Sequence, residues 1–323
     1  TYNYEYVYNM KYEKSLVKYK PISRSYYKLC EIIKDKIKLS NQSLSFCFLA
    51  ECPGGFIDYI IHNRKHLFCK DEYYTISLKS NDKNVPNFFL LSQKYNNIKI
   101  IDGIDEKGDL CNLDNIKYIN KNIKADFVTA DGGFDFTENY QNKENNISFL
   151  IFCEIISALS ILKKDGIFIL KVFDLFSTNS FNYIYLLSLY FEKIEITKPY
   201  ISKPANSEKY ILCNGFRGIN QKELEYFFDL IKKKEKIKFK LPNKYIEYLT
   251  QVNTYYSILQ INNILHTILL YQLNIHYLYK KLIKLKIFIY SILWCLKYNQ
   301  NINFKKIFFN NNYKQKINNL IFK

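Results

Sequence analysis

The chain has 323 residues, of which 48% are hydrophobic, so it can bury one large core or two smaller ones and is not a disordered tail. Its 47 Lys and Arg against 30 Asp and Glu give a formal net charge of +17. This charge indicates a polyanionic partner, either nucleic acid or an anionic membrane surface. The alternative is that the surface is basic only because the amino-acid composition is biased, without any such partner.

Disulfide, metal and membrane chemistry are not expected from the sequence. The eight cysteines include no CxxC pair, which predicts free thiols in a reducing compartment. His62 and His66 can share a helix face, but no third ligand accompanies them. No signal peptide opens the chain, and the apolar run at 287–296 is shorter than the ~20 residues that cross a bilayer. We therefore expect a soluble protein.

Seven short runs with strand character alternate with longer helical patterns. Several runs are apolar almost throughout, as expected of strands covered on both faces. The helical stretches between them include residues 56–66, 145–164 and 179–192. This alternation predicts an α/β fold with an open, mostly parallel sheet flanked by helices. The seven runs lie at residues 45–50, 73–78, 98–101, 125–130, 166–173, 193–197 and 209–214.

The C-terminal third has a different pattern. Apolar residues at 258, 261, 265, 268 and 269 follow helical spacing. No acidic residue follows Glu247, whereas ten lysines do. We expect a basic α-helical extension that either packs on the sheet domain or forms a small module of its own.

The stretch ECPGG at 51–55 links the first strand to the following helix. Ligands of open parallel sheets bind where the carboxyl ends of the strands meet such loops. Gly54 and Gly55 permit a tight turn and the close approach of a ligand, and Pro53 pre-sets the turn. The loop matches neither GxxxxGK[ST] nor GxGxxG, which disfavours nucleoside-triphosphate and nicotinamide sites. A purely structural turn is the alternative.

Four charged residues lie close to strand ends or in an early helix. Asp131 follows the strand at 125–130, and Glu208 precedes the strand at 209–214. Lys171 lies inside an apolar strand, where it should shift its pKa or pair with an acid. Lys28 lies in an early helix. Taken singly, each can be explained as a structural ion pair or a solvated surface group.

Five segments taken together resemble the FtsJ-like 2′-O-ribose methyltransferases. The segments are SRSYYKL, LAECPGGF, TADGGF, LKVFDLFS and SKPANSEKYILCNG. This resemblance implies a Rossmann-like fold with a seven-stranded sheet and S-adenosyl-L-methionine as the cofactor. The Lys-Asp-Lys-Glu tetrad of the family falls on Lys28, Asp131, Lys171 and Glu208. Residues 171–215 are similar to the cap-specific messenger-RNA enzymes of the Adrift type.

The resemblance also implies cofactor-binding and RNA-binding residues. GDL at 108–110 resembles the segment on the adenine side of the cofactor. Glu51 departs from the usual loop, and if its side chain projects into the cofactor pocket, we expect it to face the methionine ammonium. The implied cofactor contacts are Glu51, Cys52, Pro53, Gly54, Gly55, Phe56, Asp109, Leu110 and Asp131. The implied RNA contacts are Ser23, Arg24, Lys203, Asn206 and Ser207.

These patterns divide the chain into three parts: an N-terminal arm at 1–22, a methyltransferase domain at 23–218 and a basic helical extension at 219–323. The extension is expected to assist binding of capped RNA or to dock a capping or transcription partner. A cellular enzyme of this kind is expected in the nucleus, and a viral one in cytoplasmic factories.

The implied function is methylation of the ribose 2′-hydroxyl of the first transcribed nucleotide of capped messenger RNA. We predict that Lys171 has a lowered pKa and acts as a general base or steers the proton away. Asp131 would orient Lys171, and Glu208 would hold Lys28 or the hydroxyl. A 2′-O-methyltransferase of ribosomal or transfer RNA and a catalytically silent RNA-binding subunit are the alternatives.

Overall fold

The computed structural model describes residues 2–8, 15–65, 70–80, 82, 85–133, 143–272 and 277–303, so His66 and residues from 304 onward lie outside these ranges. Seven strands in the described ranges form one sheet. They are β1 (Ser45–Leu49), β2 (Glu72–Ile76), β3 (Ile98–Ile101), β4 (Ala125–Ala130), β5 (Leu162–Val172), β6 (Phe191–Thr197) and β7 (Lys209–Phe216).

The sheet has the order β3-β2-β1-β4-β5-β7-β6, and among these strands only β7 runs antiparallel to its neighbours on both sides. The predicted seven-stranded, mostly parallel sheet is therefore confirmed. β1 is buried along its whole length, as a strand covered on both faces should be. The carboxyl ends of β1, β4 and β5 and the amino end of β7 lie together at one border, called here the carboxyl edge.

β5 is longer than its sequence indicates, because it begins at Leu162 rather than at residue 166. Asp165 and Gly166 form a dipeptide that usually signals a turn. In the structure Asp165 adopts a φ of 65°, and the register with β4 shifts between Ala125 and Phe127. Asp165 and Gly166 therefore form an irregularity within one strand and do not end it.

Helices cover both faces of the sheet. They are α1 (Ser25–Lys36), α2 (Gly55–Arg64), α3 (Phe89–Lys94), α4 (Leu113–Asn122), α5 (Lys143–Ile161), α6 (Thr178–Tyr190), α7 (Gln221–Lys233), α8 (Asn243–Gln272) and α9 (Tyr277–Lys297). Buried residues of α4 to α7 form one core with the sheet. Buried residues of α1, α2 and α9 form a second core on the other face, together with the N-terminal arm.

The C-terminal helices pack on the sheet domain. α7 begins with a capping box between Asn220 and Glu223 and buries Leu224 in the first core. α9 buries Trp294 in the second core, and Ile302 forms an antiparallel bridge with Val17 of the N-terminal arm. The domain boundaries after residues 22 and 218 stay a prediction.

α8 crosses the carboxyl edge beside residues 198–208, called here the β6–β7 segment. Asn253 donates a hydrogen bond to the carbonyl of Leu175, which follows β5. Tyr256 Oη donates to the carbonyl of Ile196 at 3.1 Å, and Gln260 Nε2 donates to that of Ala205 at 3.2 Å. These contacts hold the helix against the border of the sheet that carries the predicted site.

The structure also bears on the disulfide, metal and membrane chemistry that was considered from the sequence. The cysteines in the described ranges are free thiols. Within the same ranges no cluster of His, Cys, Asp and Glu has the geometry to hold a metal ion. None of the described helices combines the length and the apolar character that crossing a membrane requires.

Candidate active site

Four side chains that the sequence singled out meet at the carboxyl edge. Asp131 directly follows β4, Lys171 is the penultimate residue of β5, and Glu208 immediately precedes β7. Lys28 reaches the same edge from α1. Together they form two ion pairs, one between Lys28 and Glu208 and one between Lys171 and Asp131.

The first pair holds Glu208 as a carboxylate. The Lys28 ammonium lies 2.7 Å from Glu208 Oε1 and donates to Oε2 at 2.8 Å. Ser202 Oγ donates to Oε1 at 3.1 Å. Burial alone would raise the pKa of Glu208, but Lys28 and Lys171 outweigh burial and lower it to about 2.

The second pair is partly open to a ligand. Lys171 Nζ lies 3.1 Å from Asp131 Oδ1, and it also donates to the backbone carbonyl of Asp131. Tyr210 Oη donates to the same Oδ1 at 3.2 Å. The side chains of Lys171 and Asp131 are 11% and 12% exposed, so their polar atoms remain within reach of a molecule in the crevice.

The prediction that Lys171 has a lowered pKa is wrong. Burial favours the neutral amine, but Asp131, Glu208 and Glu51 together outweigh burial and raise the pKa. The sequence showed a lysine in an apolar strand, where desolvation dominates. Folding surrounds this lysine with three carboxyl groups, so it is an ammonium at neutral pH.

The loop after β1 brings Glu51 into the same crevice. Glu51 is 2% exposed, and its Oε1 accepts a hydrogen bond from the Phe56 amide at 3.0 Å. Its Oε2 is buried and makes no hydrogen bond within the described part of the chain. Burial and the neighbouring Asp131 raise the pKa of Glu51 well above its usual value, whereas Lys171 and Lys28 oppose this. A carboxyl oxygen is therefore left for a donor or cation to compensate.

Glycine is required at the two positions of the loop for different reasons. Gly54 has a φ of +104° as the residue before α2, a conformation that glycine adopts without strain. At Gly55 a Cβ would lie 2.0 Å from Ser25 Oγ and 2.2 Å from Ser23 Oγ. The Cβ side of Gly55 therefore packs against Ser23 and Ser25 at the amino end of α1, and a contact between Gly55 and the cofactor stays a prediction. The Phe56 ring is fully buried in the core.

The remaining residues expected to contact the cofactor differ in accessibility. Cys52, Pro53 and Asp109 are half-buried, and Leu110 is buried. Asp109 lies in the loop after β3, where its Oδ1 accepts from the Cys111 amide at 2.8 Å. This loop lies at the carboxyl end of β3, at the same border of the sheet as the loop after β1.

The residues expected to contact RNA lie on two sides of the Lys28–Glu208 pair. Ser23 and Arg24 precede α1, and the Arg24 guanidinium lies 5.8 Å from the centre of the Tyr2 ring. The Ser23 hydroxyl is within 2.6 Å of Ser25 Oγ, so a local contact already uses it.

The β6–β7 segment contains the expected RNA contacts on the other side of the Lys28–Glu208 pair. Lys203 and Asn206 are exposed, whereas Ser207 is 9% exposed. Lys198 Nζ donates to the carbonyls of Asn206 and Glu208 and thereby holds the segment next to the ion pair.

Sequence reasoning missed Glu154, a buried carboxyl group in α5. Glu154 is 1% exposed, and a Cβ at Gly132 would lie 2.1 Å from Glu154 Oε1, so Gly132 is required for this contact. Burial raises the pKa of Glu154 to about 8, with Lys171 opposing and Asp131 adding to the shift. An acid amid the apolar run FLIFCEIISAL was the available signal.

Lys198 and Lys209 were also missed. Lys209 is 5% exposed and donates to the Ser207 carbonyl at 2.8 Å. Burial lowers the pKa of both lysines to about 8. Lys209 directly follows Glu208, and this position was a signal in the sequence, whereas nothing near Lys198 distinguished it from a surface lysine.

The fold and the site define a Rossmann-like methyltransferase. A model of the FtsJ-like methyltransferase family matches residues 21–216, which is more than half of the chain and includes all seven strands described above. The chain therefore belongs to the FtsJ-like methyltransferase family, and it is an S-adenosyl-L-methionine-dependent methyltransferase.

The curated relatives of this chain have names that are more specific than the description of the family. The chain is 34% identical over 189 residues to cap-specific mRNA (nucleoside-2′-O-)-methyltransferase 1 of Danio rerio, covering 55% of this chain and 22% of the relative. It is 33% identical over 197 residues to the enzyme of the same name from Homo sapiens, covering 58% and 23%. The chain thus spans less than a quarter of the length of these relatives.

Two solved structures are similar at lower identity. One is described as a ribosomal RNA methyltransferase of Plasmodium falciparum, with 22% identity, a TM-score of 0.45 and coverage of 61% of this chain and 99% of that chain. The other is Aeropyrum pernix fibrillarin in complex with S-adenosyl-L-methionine, with 11% identity, a TM-score of 0.39 and coverage of 58% and 75%.

The residues present fit this cofactor. Glu51 Oε2 is a buried oxygen without a hydrogen bond in the described ranges, and Asp131 lies close enough to raise the pKa of Glu51. An ammonium or sulfonium in the crevice would compensate these carboxyl groups. Glu51 and Asp131 are therefore the side chains best placed to hold a cationic cofactor.

Proposed function

We propose that the chain methylates the ribose 2′-hydroxyl of the first transcribed nucleotide of capped messenger RNA, converting cap 0 to cap 1. The observation that carries the proposal is the meeting of the Lys171–Asp131 and Lys28–Glu208 pairs in one crevice. The similarity to cap-specific relatives over 189 and 197 residues supports capped RNA as the substrate.

S-adenosyl-L-methionine supplies an activated methyl group on a sulfonium. The chain has to align a ribose hydroxyl with that methyl and to lower the cost of losing the hydroxyl proton. Lys171 is an ammonium at neutral pH, and it acts by donating a hydrogen bond to the 2′-oxygen as negative charge develops there. This stabilisation lowers the pKa of the hydroxyl, and the proton that the hydroxyl loses passes to water or to the Asp131 carboxylate beside Lys171.

The neighbouring groups position Lys171 and the ribose. Asp131 holds the Lys171 ammonium at 3.1 Å, and Tyr210 Oη donates to the same carboxylate oxygen, Asp131 Oδ1. Glu208 remains ionised because its pKa is about 2, so it holds the Lys28 ammonium in place. Lys28 then offers a second hydrogen-bond donor to the ribose or to an adjoining phosphate.

The same proposal includes the residues that bind the RNA and the cellular compartment in which the enzyme acts. Exposed Lys203 and Asn206 contact the RNA beside the ion pairs. The basic C-terminal helices assist RNA binding through phosphate contacts or dock a capping or transcription partner. A cell-encoded enzyme of this function acts in the nucleus.

Transfer of a tritiated methyl group from labelled cofactor tests the proposal. Three matched short RNAs are compared: one capped, one with a 5′-triphosphate, and one capped with the first nucleotide already 2′-O-methylated. We expect transfer only to the first RNA. Equal transfer to capped and uncapped RNA would favour a ribosomal- or transfer-RNA enzyme, and RNA binding without any transfer would favour a silent subunit.

A further inference from the structure

A cavity of about 510 Å³ lies beside the carboxyl edge, outside the crevice that holds the two ion pairs. Its walls come from the N-terminal arm, α1, the β6–β7 segment and α8. The arm before residue 21 and α8 lie outside the residues matched to the methyltransferase family. The cavity therefore exists only because these additional parts pack around the family's core.

Tyrosine rings line this cavity and are available for stacking. Tyr200 of the β6–β7 segment and Tyr255 of α8 are 63% and 60% exposed, although both line the cavity. Tyr4 lies 6.4 Å from Tyr200, and Tyr256 lies 5.3 Å from Tyr255, measured between ring centres. Exposed aromatic rings beside a cavity are suited to stacking against a planar ligand.

The lining of the cavity carries more basic than acidic side chains, with Lys36, Lys198 and Lys209 against Glu31 and Asp35. Glu31 accepts from Trp294 Nε1 at 2.9 Å, and Asp35 accepts from Tyr298 Oη at 2.7 Å, so both acids of the lining are already engaged. Lys198 also lines the cavity, where its ammonium donates to the backbone carbonyls of the β6–β7 segment. The site thus suits a neutral ring attached to an anionic group, and it disfavours a cationic ring such as N7-methylguanine.

Side-chain amides add hydrogen-bonding groups. Asn206, Gln260 and Asn263 line the cavity, and an amide can both donate to and accept from the edge of a base. Gln260 connects the two sides of the cavity, because its Nε2 bonds to Ala205 of the β6–β7 segment.

The cavity is directly connected to the proposed catalytic group. Ser202 lines it and donates to Glu208 Oε1 at 3.1 Å. Lys198 lines it and donates to the Glu208 carbonyl at 2.8 Å. The cavity therefore adjoins the residue that is proposed to help hold the methylated nucleotide.

We propose that the cavity binds a base of the substrate RNA downstream of the methylated nucleotide, by stacking on Tyr200 and Tyr255. This inference rests on the proposed function for the direction of the RNA, but binding to the cavity can be measured without catalysis. It also gives the arm and α8 a role in substrate affinity rather than in methyl transfer.

The test uses the full chain and a capped RNA that carries 2-aminopurine at one of the positions after the first transcribed nucleotide. Stacking on tyrosine should quench the fluorescence of the bound RNA. Tyr200→Leu and Tyr255→Leu should abolish the quenching and weaken RNA binding at least about fivefold, the lower end of what one stacked base contributes. Tyr271→Leu is the matched control, because Tyr271 is also on α8, is 89% exposed and does not line the cavity.

Further measurements separate this proposal from failure of the proposed function. In methyl transfer, both variants should raise the KM of a long capped RNA and leave kcat and the KM of the shortest accepted capped RNA unchanged. If no RNA is methylated, the fluorescence titration still decides whether the cavity binds a base. Unchanged quenching and affinity in both variants would overturn the proposal, as would 4-thiouridine cross-links from wild-type complexes that map only away from Tyr200 and Tyr255.

Discussion

Trp294 Nε1 donates a hydrogen bond to Glu31 Oε2 at 2.9 Å, which joins residues 263 positions apart. Glu31 also accepts from the backbone amides of Tyr200 and Ile201. One buried carboxyl group therefore connects α9, α1 and the β6–β7 segment. Lys28 lies one helical turn before Glu31, so the C-terminal helix supports the helix that carries a proposed catalytic lysine.

Trp294→Phe should destabilise the fold. The change removes a donor from a buried carboxyl group and keeps an aromatic ring in the core. Loss of a hydrogen bond to a charged group costs about 1.5–3 kcal/mol, and urea denaturation should show a fall of that size in the free energy of unfolding. Tyr290→Phe on the same helix, at a ring that is 39% exposed, is the control. Equal stability of the Trp294 variant and wild type would contradict the structural role.

Lys171→Ala should abolish methyl transfer and leave cofactor affinity nearly unchanged. The variant loses the ammonium that stabilises the 2′-oxygen, which should lower kcat by on the order of 10²- to 10⁴-fold. Labelled-methyl transfer and titration with S-adenosyl-L-methionine measure the two properties. Lys163→Ala is the control on the same strand, because Lys163 is an exposed lysine paired with Asp126 away from the site. Substantial activity of Lys171→Ala would refute the assigned role.

Glu154→Gln should stabilise the protein in a pH-dependent manner. The pKa of Glu154 is raised from 4.5 to about 8, so between these values the unfolded chain releases a proton that the folded protein keeps. Wild-type stability therefore falls as pH rises through this window. The variant lacks this loss and should gain stability relative to wild type, by roughly a few kcal/mol at pH 8.

Urea denaturation of both proteins at pH 5 and pH 8 measures this effect. The stability difference should be small at pH 5 and larger at pH 8. Glu235→Gln, at an exposed glutamate after α7, is the control for the change in charge. A difference that is equal at the two pH values would show that the carboxyl group of Glu154 is not held protonated.

The basic extension should contribute to RNA affinity through phosphate contacts. Lys280 and Lys284 are exposed on α9, and Lys280→Gln with Lys284→Gln should weaken RNA binding. The slope of log K against log salt should become shallower by about 0.7 for each phosphate that the variant no longer neutralises. Lys222→Gln with Lys232→Gln on α7 removes the same charge elsewhere and is the control. Identical salt slopes in the α9 variant and wild type would instead favour a docking role.

Substitutions are preferable to truncation in this experiment. Cutting the chain near residue 220 would remove Leu224 and Phe227 from one core and Trp294 from the other. The remaining surface would be apolar, and a failure to bind RNA would then report unfolding. The substitutions at Lys280 and Lys284 leave both cores intact.

The mostly parallel sheet and its carboxyl edge were predictable from the sequence, and the four charged residues of the site became a set through the resemblance of five segments to a family. Buried parallel strands have nearly continuous apolar runs, and a charged residue at the end of such a run is conspicuous, as at Asp131 and Lys171. Glu154 and Lys198 were not predictable in the same way. Their roles depend on what lies across from them, and Gly132 meets Glu154 only after β4 and α5 pack.

The local pattern of residues by itself determined the α/β architecture, because burial on two faces and turn chemistry act over a few neighbouring positions. Only the tertiary structure decided the protonation of Lys171, since Asp131, Glu208 and Glu51 reach it from three distant segments. It also decided what packs against the Cβ side of Gly55, where the hydroxyl groups of Ser23 and Ser25 lie. Electrostatic and steric effects of this kind depend on distances in space, and separation along the chain does not encode them.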